Sequence, residues 1–245
     1  MTILEMHEKF RTLGQQNGLQ LVRGILPETI DSYINDAINH VVREILNANV
    51  SANFGNVVVI QKNQIGIING LRTLYVQEDI SVSGGNNENE GEITDIEPFV
   101  YESLLTNSVF GLINVDIIYN DGSYIVPSRF IEPNNIQVTL SDYLSRASKR
   151  HPIVTITEAN DIDKLYKWNI YTDKHSSEIT KLRIGYIKYP ATVKLDDEDD
   201  EASINNINCD LPIHLHNLVI EEAVRLWFQS LGLTSNQTNQ TNNKE

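Results

Sequence analysis

The set of residues closest to a metal-binding pattern is Cys209, Asp210, His214 and His216. A tetrahedral zinc site needs such side chains to converge on one ion. Pro212 and the apolar residues after it predict a helix, and on a helix two histidines two positions apart face different sides. We therefore expect ordinary residues at the start of a helix. A small metal-dependent enzyme using Cys209, His214 and His216 is the less favoured alternative.

Cys209 is the single cysteine of the chain, so it cannot form an internal disulfide and the fold does not depend on an oxidising compartment. A cysteine nucleophile reacts as the thiolate and needs surroundings that lower its pKa. Cys209 stands in an acidic stretch just before a predicted helix, which raises the thiol pKa instead. We therefore assign it no catalytic role.

Other motifs of site chemistry are missing from the sequence. Neither GxGxxG, GxxxxGK[ST] nor GxSxG occurs. The acidic run at 196–201 lacks the ligand alternation and central glycine of a calcium-binding EF-hand loop, so it predicts a solvated loop. His40 lies near Asp36 and Glu44 in a predicted helix and is expected to form interhelix or surface hydrogen bonds. The sequence predicts no catalytic, cofactor-binding or metal-binding residue and no cofactor.

Composition excludes several classes of function. The chain has 245 residues, of which 40% are hydrophobic and 21% charged, as in a soluble globular protein. Its 19 basic and 33 acidic residues give a net charge of −14, which opposes binding of nucleic acid through its phosphates. The first 14 residues lack the apolar core of a signal peptide, and no window approaches the roughly 18 apolar residues of a membrane span.

Helices are predicted near both ends of the chain, at 3–16, 27–49 and 211–231. In the second, Ile30, Ile34 and Val41 belong to an apolar face with spacings of three and four. Asp210 is the expected N-cap of the last helix, and Pro212 fits its first turn. Because each apolar face must be buried against another element, we expect these distant helices to pack together.

The middle of the chain changes to β-type periodicity. Strands are expected at 57–60, 64–69, 71–77, 112–119, 124–126, 153–157, 165–172 and 181–189. Asn69-Gly70 predicts a hairpin turn. Short helices are expected at 100–108 and 141–149, and an exposed acidic loop at 84–97.

This order of elements predicts an α+β fold in which N- and C-terminal amphipathic helices pack together around a β-rich middle insertion. The predicted domains are a helical domain of residues 1–50 and 205–233 and a β-rich domain of residues 51–204 with acidic loops. A polar tail at 234–245 is expected to be disordered unless bound.

Two blocks of the chain carry a family resemblance. The first consists of QQNG at 15–18, LPETIDSYINDA at 26–37 and VVR at 41–43; the second consists of LRIGYIKYP at 182–190, CDLP at 209–212 and IEEAVR at 220–225. A strand ending in Tyr-x-Lys-Tyr-Pro, an acidic linker and a Leu-Pro-x-x-x-His helix start resemble the neck proteins of tailed bacteriophages. These are head-to-tail adaptors of podovirus type, and the chain is most similar to the ring proteins of crAss-like phages.

The resemblance implies a structural virion protein that forms a ring, commonly of twelve subunits, in the phage neck. Such a ring joins the portal to the tail and surrounds the DNA exit channel. Its implied partners are copies of itself, the portal protein and adjacent neck or tail proteins, with DNA passing unbound and no membrane involved. The implied location is the virion, after synthesis in the bacterial host cytoplasm. Another phage structural role, capsid-associated or at the distal tail, is the alternative.

Overall fold

A computed structural model of the chain describes residues 1–16, 24–47, 50–54, 57–60, 64–81, 99–120, 124–160, 163–172, 179–196 and 205–231. The helices in these ranges are α1 (Ile3–Gln16), α2 (Pro27–Asn47), α3 (Gln64–Gly70), α4 (Ile136–Ser141) and α5 (Ile213–Ser230). The strands are β1 (Val50–Phe54), β2 (Val57–Ile60), β3 (Tyr75–Ser81), β4 (Phe99–Leu104), β5 (Val109–Tyr119), β6 (Tyr124–Pro127), β7 (Arg129–Phe130), β8 (Ile153–Asn160), β9 (Leu165–Tyr171) and β10 (Ile179–Lys188). The acidic loop expected at 84–97, most of the acidic run at 196–201 and the tail at 234–245 lie outside the described residues.

The chain divides into two compact units. A helical unit combines Met1–Ile45 with Pro190–Glu245, and a β-rich unit is formed by Leu46–Tyr189 between them. The predicted α+β class is confirmed, with helices at both ends and strands in the middle. The segment after residue 189, which is predicted to belong to the β-rich domain, falls in the helical unit instead.

The helical unit is held by apolar faces of α1, α2 and α5. Phe10 of α1 packs against Trp227 of α5, with ring centroids 5.6 Å apart. The predicted packing of the terminal helices is therefore confirmed, and each large apolar side chain buried there contributes roughly 1.5–3 kcal/mol. The fully buried positions follow helical spacing: Ile3, Met6 and Phe10 in α1; Ile30, Ile34, Ala37, Ile38 and Val41 in α2; Val219, Ile220 and Ala223 in α5.

The start of α5 differs from the prediction. Pro212 occupies the cap position, in an extended conformation and without a side-chain cap, so Asp210 is not the N-cap. Asp210 Oδ1 instead accepts a hydrogen bond from the Ala191 backbone N–H at 3.2 Å. Ala191 belongs to the segment that begins at Pro190 and returns to the helical unit, which we call the returning chain. This segment binds the carboxylate that local capping rules assign to the start of the helix.

The β-rich unit contains two sheets. One has the order β1-β2-β5-β10-β3, with β6 also paired to β5, and the other has the order β4-β9-β8-β7. The pairs β2–β5 and β7–β8 are parallel, and the other pairs are antiparallel. A single apolar core includes residues of both sheets, among them Ile117, Ile184, Val154 and Trp168. Trp168 Nε1 donates to Ser103 Oγ at 2.7 Å, which satisfies its polar atom inside that core.

Three local predictions are wrong. Residues 64–69 form α3 rather than a strand, so Asn69-Gly70 ends a helix instead of turning a hairpin, and the next strand starts only at Tyr75. Residues 100–108 are predicted as a helix, but β4 pairs with β9 over Phe99–Leu104. The helix predicted at 141–149 lies earlier, at Ile136–Ser141, and is followed by turns. For β4 the pairing with β9, and for α4 the packing of Ile136 against Ile153 and Tyr171, override a weak local preference.

Candidate interaction surface

The structure separates the residues of the proposed metal pattern. His216 is buried, and its Nε2 donates to the Leu211 carbonyl at 2.8 Å, whereas His214 is exposed. The two histidines thus lie on different sides of α5, as the helical spacing predicts. Burial lowers the pKa of His216. Among the described residues, no group of three or more His, Cys, Asp or Glu side chains is placed to hold a metal ion.

Cys209 is buried just before α5. Burial raises the pKa of its thiol to about 11, and the neighbouring charge of Asp210 adds to the increase. The direction agrees with the sequence argument, although the main cause is loss of hydration rather than the acidic stretch. At neutral pH the thiol is protonated and therefore a weak nucleophile.

His40 lies at the contact between α2 and α5, which is the predicted interhelix position, although its Nδ1 does not meet hydrogen-bond geometry with a carboxylate there. Its Nδ1 lies 3.0 Å from Glu222 Oε1 of α5 and 3.9 Å from Glu44 Oε1 of its own helix. Arg225 Nε donates to Glu222 Oε2 at 2.6 Å, and this hydrogen bond lowers the pKa of Glu222. The carboxylate of Glu222 is thus approached by the His40 ring from α2 and by Arg225 from its own helix, so these side chains lie at the packing contact of the two helices.

A buried polar pair in the helical unit was not predicted. His7 Nε2 lies 2.7 Å from Asp31 Oδ1, and Asp31 Oδ2 accepts the Leu195 backbone N–H at 3.0 Å. One helical turn later, Asn35 accepts the Val193 N–H at 2.8 Å and donates to the Val193 carbonyl at 3.0 Å. These side chains fasten the returning chain to α2. The sequence signal for these contacts was the presence of polar residues in α2 next to positions of its apolar face. Their partners could not be predicted, because they are far away in sequence.

Among the residues of the β-rich unit that the structure describes, the most exposed apolar side chains belong to α4 and the turns after it. Val138, Tyr143 and Leu144 are 71%, 76% and 91% exposed. The opposite side of this segment is anchored, because Ile136 packs with Ile153 and Tyr171, and Leu140 joins them. The segment therefore presents apolar side chains outward while its inner side is fixed to the fold.

Hydrogen bonds hold the turn that carries Tyr143 and Leu144. Asp142 Oδ1 accepts the Leu144 N–H at 3.2 Å, and the same carboxylate accepts a hydrogen bond from the Ser145 hydroxyl. These bonds hold the pKa of Asp142 below its ordinary value. Arg129 also donates to the Ser145 carbonyl at 2.7 Å. A preorganised turn loses little conformational freedom when a partner covers it.

Several basic side chains belong to the same stretch of chain or contact it. The guanidinium of Arg146 lies 5.0 Å from the Tyr143 ring centroid. Lys149 Nζ lies 5.4 Å from the ring of Tyr119 and 5.9 Å from that of Tyr124, an exposed residue of β6. We call this region the basic apolar patch, consisting of Arg129, Val138, Tyr143, Leu144, Arg146, Lys149 and Arg150. Its four basic residues outnumber the one carboxylate in the same turn, that of Asp142, so the region is net positive on a chain of net charge −14.

The helical unit has a second exposed apolar surface, on the outer side of α5. Ile213 is 76% exposed and Leu218 is 46% exposed. Spacings of three and four in the sequence, from Leu215 to Leu218 and on to Trp227, predict that Leu218 lies on the apolar face of the last helix, but the buried face is formed by its neighbours Val219 and Ile220. His214, Asn217 and Glu221 share the exposed side with Ile213 and Leu218, so this surface is mixed in polarity and carries little net charge.

No protein-family model and no curated protein matches the chain. Within the described ranges, no helix has both the length and the apolar character needed to cross a bilayer.

Large apolar side chains exposed on an anchored segment are typical of protein–protein contact surfaces. The arrangement is therefore suited to binding another protein.

Proposed function

We propose that the chain is a structural protein of a tailed bacteriophage that assembles with its own copies into a ring in the neck, between portal and tail. The observation that carries the proposal is the exposed, anchored apolar surface at Val138, Tyr143 and Leu144. The sequence resemblance to neck ring proteins supplies the phage context.

A closed ring makes a specific demand on its subunit. Head-to-tail packing joins two different surfaces, because each subunit meets a different neighbour on each side. The chain offers apolar residues on two separate units: Val138, Tyr143 and Leu144 on the β-rich unit and Ile213 and Leu218 on the helical unit. Each side chain of this size that leaves water on association contributes roughly 1.5–3 kcal/mol, before the cost of ordering both partners.

The overall charge fits a channel through which DNA moves. A subunit of net charge −14 repeated around a ring gives a strongly negative object. Negative walls repel phosphates, so DNA slides past them, whereas a basic channel would retain it.

Size and shape of the purified chain test the proposal. We expect light scattering after size exclusion to give a multiple of the 27.8 kDa chain mass, and electron microscopy to show rings, either with the chain alone or after portal is added. Replacing Tyr143 and Leu144 by Ser should reduce assembly. Gln137→Ser, an exposed change on the same segment, is the matched control and should leave assembly intact. A chain that stays monomeric under both conditions would contradict the ring.

Location within the particle tests the second part of the proposal. Labelled antibody on purified virions should bind at the junction of head and tail. Labelling over the capsid or at the distal end of the tail would favour the alternative structural roles, and absence from virions would exclude a virion role altogether.

A further inference from the structure

We propose that the basic apolar patch of one copy binds a negatively charged surface of a second copy, so that copies join head to tail through two unlike surfaces. The proposal rests on the self-assembly proposed above and deepens it, because it states what kind of surface each patch meets. The charge balance of the chain, the unpaired arginines of the patch and the exposed apolar side chains beside them support it.

The patch lies in a stretch of chain in which basic residues outnumber acidic ones. Residues 129–151 hold four basic and two acidic residues, a net charge of +2, which leaves −16 for the rest of a chain whose total is −14. Two copies of such a chain repel each other on average. The contact that meets the least repulsion brings the positive stretch of one copy against the negative remainder of another.

Two arginines of the patch have no carboxylate partner among the residues that the structure describes. Arg146 and Arg150 are exposed, and neither forms an ion pair there. The nearby carboxylate of Asp142 already accepts hydrogen bonds within its own turn. By contrast, Arg183 of β10 donates to both oxygens of Asp79. The guanidinium groups of the patch are thus available to a carboxylate of another chain, which accepts two parallel hydrogen bonds from such a group.

The apolar side chains of the patch favour a protein partner over a nucleic acid. Leu144 is 91% exposed and Val138 is 71% exposed, and the Arg146 guanidinium lies 5.0 Å from the ring centroid of Tyr143. Arg and Tyr are enriched at protein interfaces. A phosphate backbone would pair with the guanidinium groups but leave Leu144 and Val138 in water. A protein surface with carboxylates and apolar side chains covers both kinds of group.

The charge of the patch opposes a symmetric contact in which two patches face each other. Around a two-fold axis, Arg146 and Arg150 of one copy would approach the same residues of the other, and like charges at an interface repel. The partner surface therefore differs from the patch. A contact between two unlike surfaces repeats from copy to copy until a ring closes, as the proposed assembly requires.

Charge reversal tests the contact. The patch variant carries Arg146→Glu and Arg150→Glu. The control carries Arg72→Glu and Lys181→Glu, which change the net charge equally at exposed positions of the same unit outside the patch. An exposed ion pair contributes up to about fivefold to an association constant, so the patch variant should self-associate roughly 30-fold more weakly and the control like the wild type. A patch variant that assembles like the wild type would overturn the proposal and leave the ring standing.

A mixture of the patch variant and the wild type distinguishes the two kinds of contact. In a head-to-tail assembly the variant keeps its negative surface, binds a wild-type patch through it and offers no working patch to the next copy. Adding the variant should therefore lower the mass of wild-type assemblies in light scattering. If two patches faced each other, reversed and unreversed patches would attract, and one-to-one dimers in the mixture would overturn the proposal.

Cross-linking identifies the partner without reversing any charge. Arg146→Lys keeps the positive charge and places an amine in the patch. A carbodiimide joins this amine to a carboxylate in contact with it as an amide, and takes up the released water as a urea. In a mixture of unlabelled and isotope-labelled chains, we expect linked peptides that carry both labels. Links confined to one label would place the contact within a single chain, and links to portal alone would identify another partner; either result would overturn the proposal.

Two further results would overturn the proposal for different reasons. A wild type that remains monomeric, alone and with portal, would remove the self-assembly on which the contact rests. Electrophoretic retardation of a DNA duplex by the wild type and by the control, lost in the patch variant, would identify nucleic acid as the partner of the patch.

Discussion

Replacing Asn35 by Ala should release the returning chain from α2. The Asn35 amide makes two hydrogen bonds to the backbone of Val193, one in each direction, at 2.8 and 3.0 Å. Val193 itself is buried, with 1% of its surface exposed. Burial limits the access of water to both backbone groups once the amide is removed, so the variant leaves a donor and an acceptor that are only partly hydrated.

The expected cost follows from these two bonds. An unsatisfied buried polar group costs about 1–3 kcal/mol, and two such groups that relax partly toward water should cost about 2–4 kcal/mol together. Alanine favours a helix over asparagine by several tenths of a kcal/mol, which offsets part of the loss. Asn39→Ala provides the matched control, because Asn39 is exposed on the same helix and gains the same helical preference. The difference between the two variants isolates the two hydrogen bonds.

Denaturant unfolding and amide hydrogen exchange measure the effect. The free energy of unfolding should fall for Asn35→Ala relative to Asn39→Ala. If the segment opens locally, the Val193 amide should exchange about 30- to 1,000-fold faster, since every 1.4 kcal/mol corresponds to a factor of ten. Equal stability of the two variants, together with unchanged exchange at Val193, would refute the view that Asn35 fastens this segment.

Three other changes test separate features. Gly185→Ala should destabilise the β-rich unit by about 1–3 kcal/mol in thermal unfolding, because a Cβ there would lie 2.2 Å from Asn114 Oδ1 and 2.9 Å from the Tyr75 hydroxyl oxygen. Adding Asn114→Ala removes the closer of these two contacts and should restore part of the loss. Burial, aided by a hydrogen bond to Glu78, raises the pKa of Tyr186 to about 12. Its neutral hydroxyl therefore stabilises the fold below pH 10, and this contribution is lost as the pH rises toward 12. Between pH 9 and pH 11 the free energy of unfolding should fall less in Tyr186→Phe than in the wild type. Cys209, whose thiol pKa is about 11, should react with a thiol reagent at pH 8 about 200-fold more slowly than an exposed cysteine, and faster labelling in native buffer would show that the site is open.

Part of the candidate surface was visible in the sequence. Tyr143 and Leu144 are adjacent apolar residues beside Arg146, in a segment predicted as a helix. The prediction placed that helix at 141–149, whereas α4 ends at Ser141. Which side of the segment is buried depends on Ile153 and Tyr171 of two strands, and local spacing carries no information about them.

The sequence by itself determined the elements whose signals are local. The range of α1 and the start of α2 follow from apolar spacing and from Pro27, and the alternating strand at 181–189 corresponds to β10. The apolar face of a helix and the alternation of a strand both appear within a short window of sequence. Neighbouring residues are therefore sufficient to predict them.

Only the tertiary structure decided which distant groups meet. The pair His7–Asp31, the bonds from Asn35 to Val193 and the pairing of β4 with β9 join residues separated by tens to more than a hundred positions. Pairing with β9 likewise made 100–104 a strand, against its local pattern. The physical reason is that burial and strand pairing are contributed by partners elsewhere in the chain, and they exceed the few tenths of a kcal/mol by which a short segment prefers one conformation.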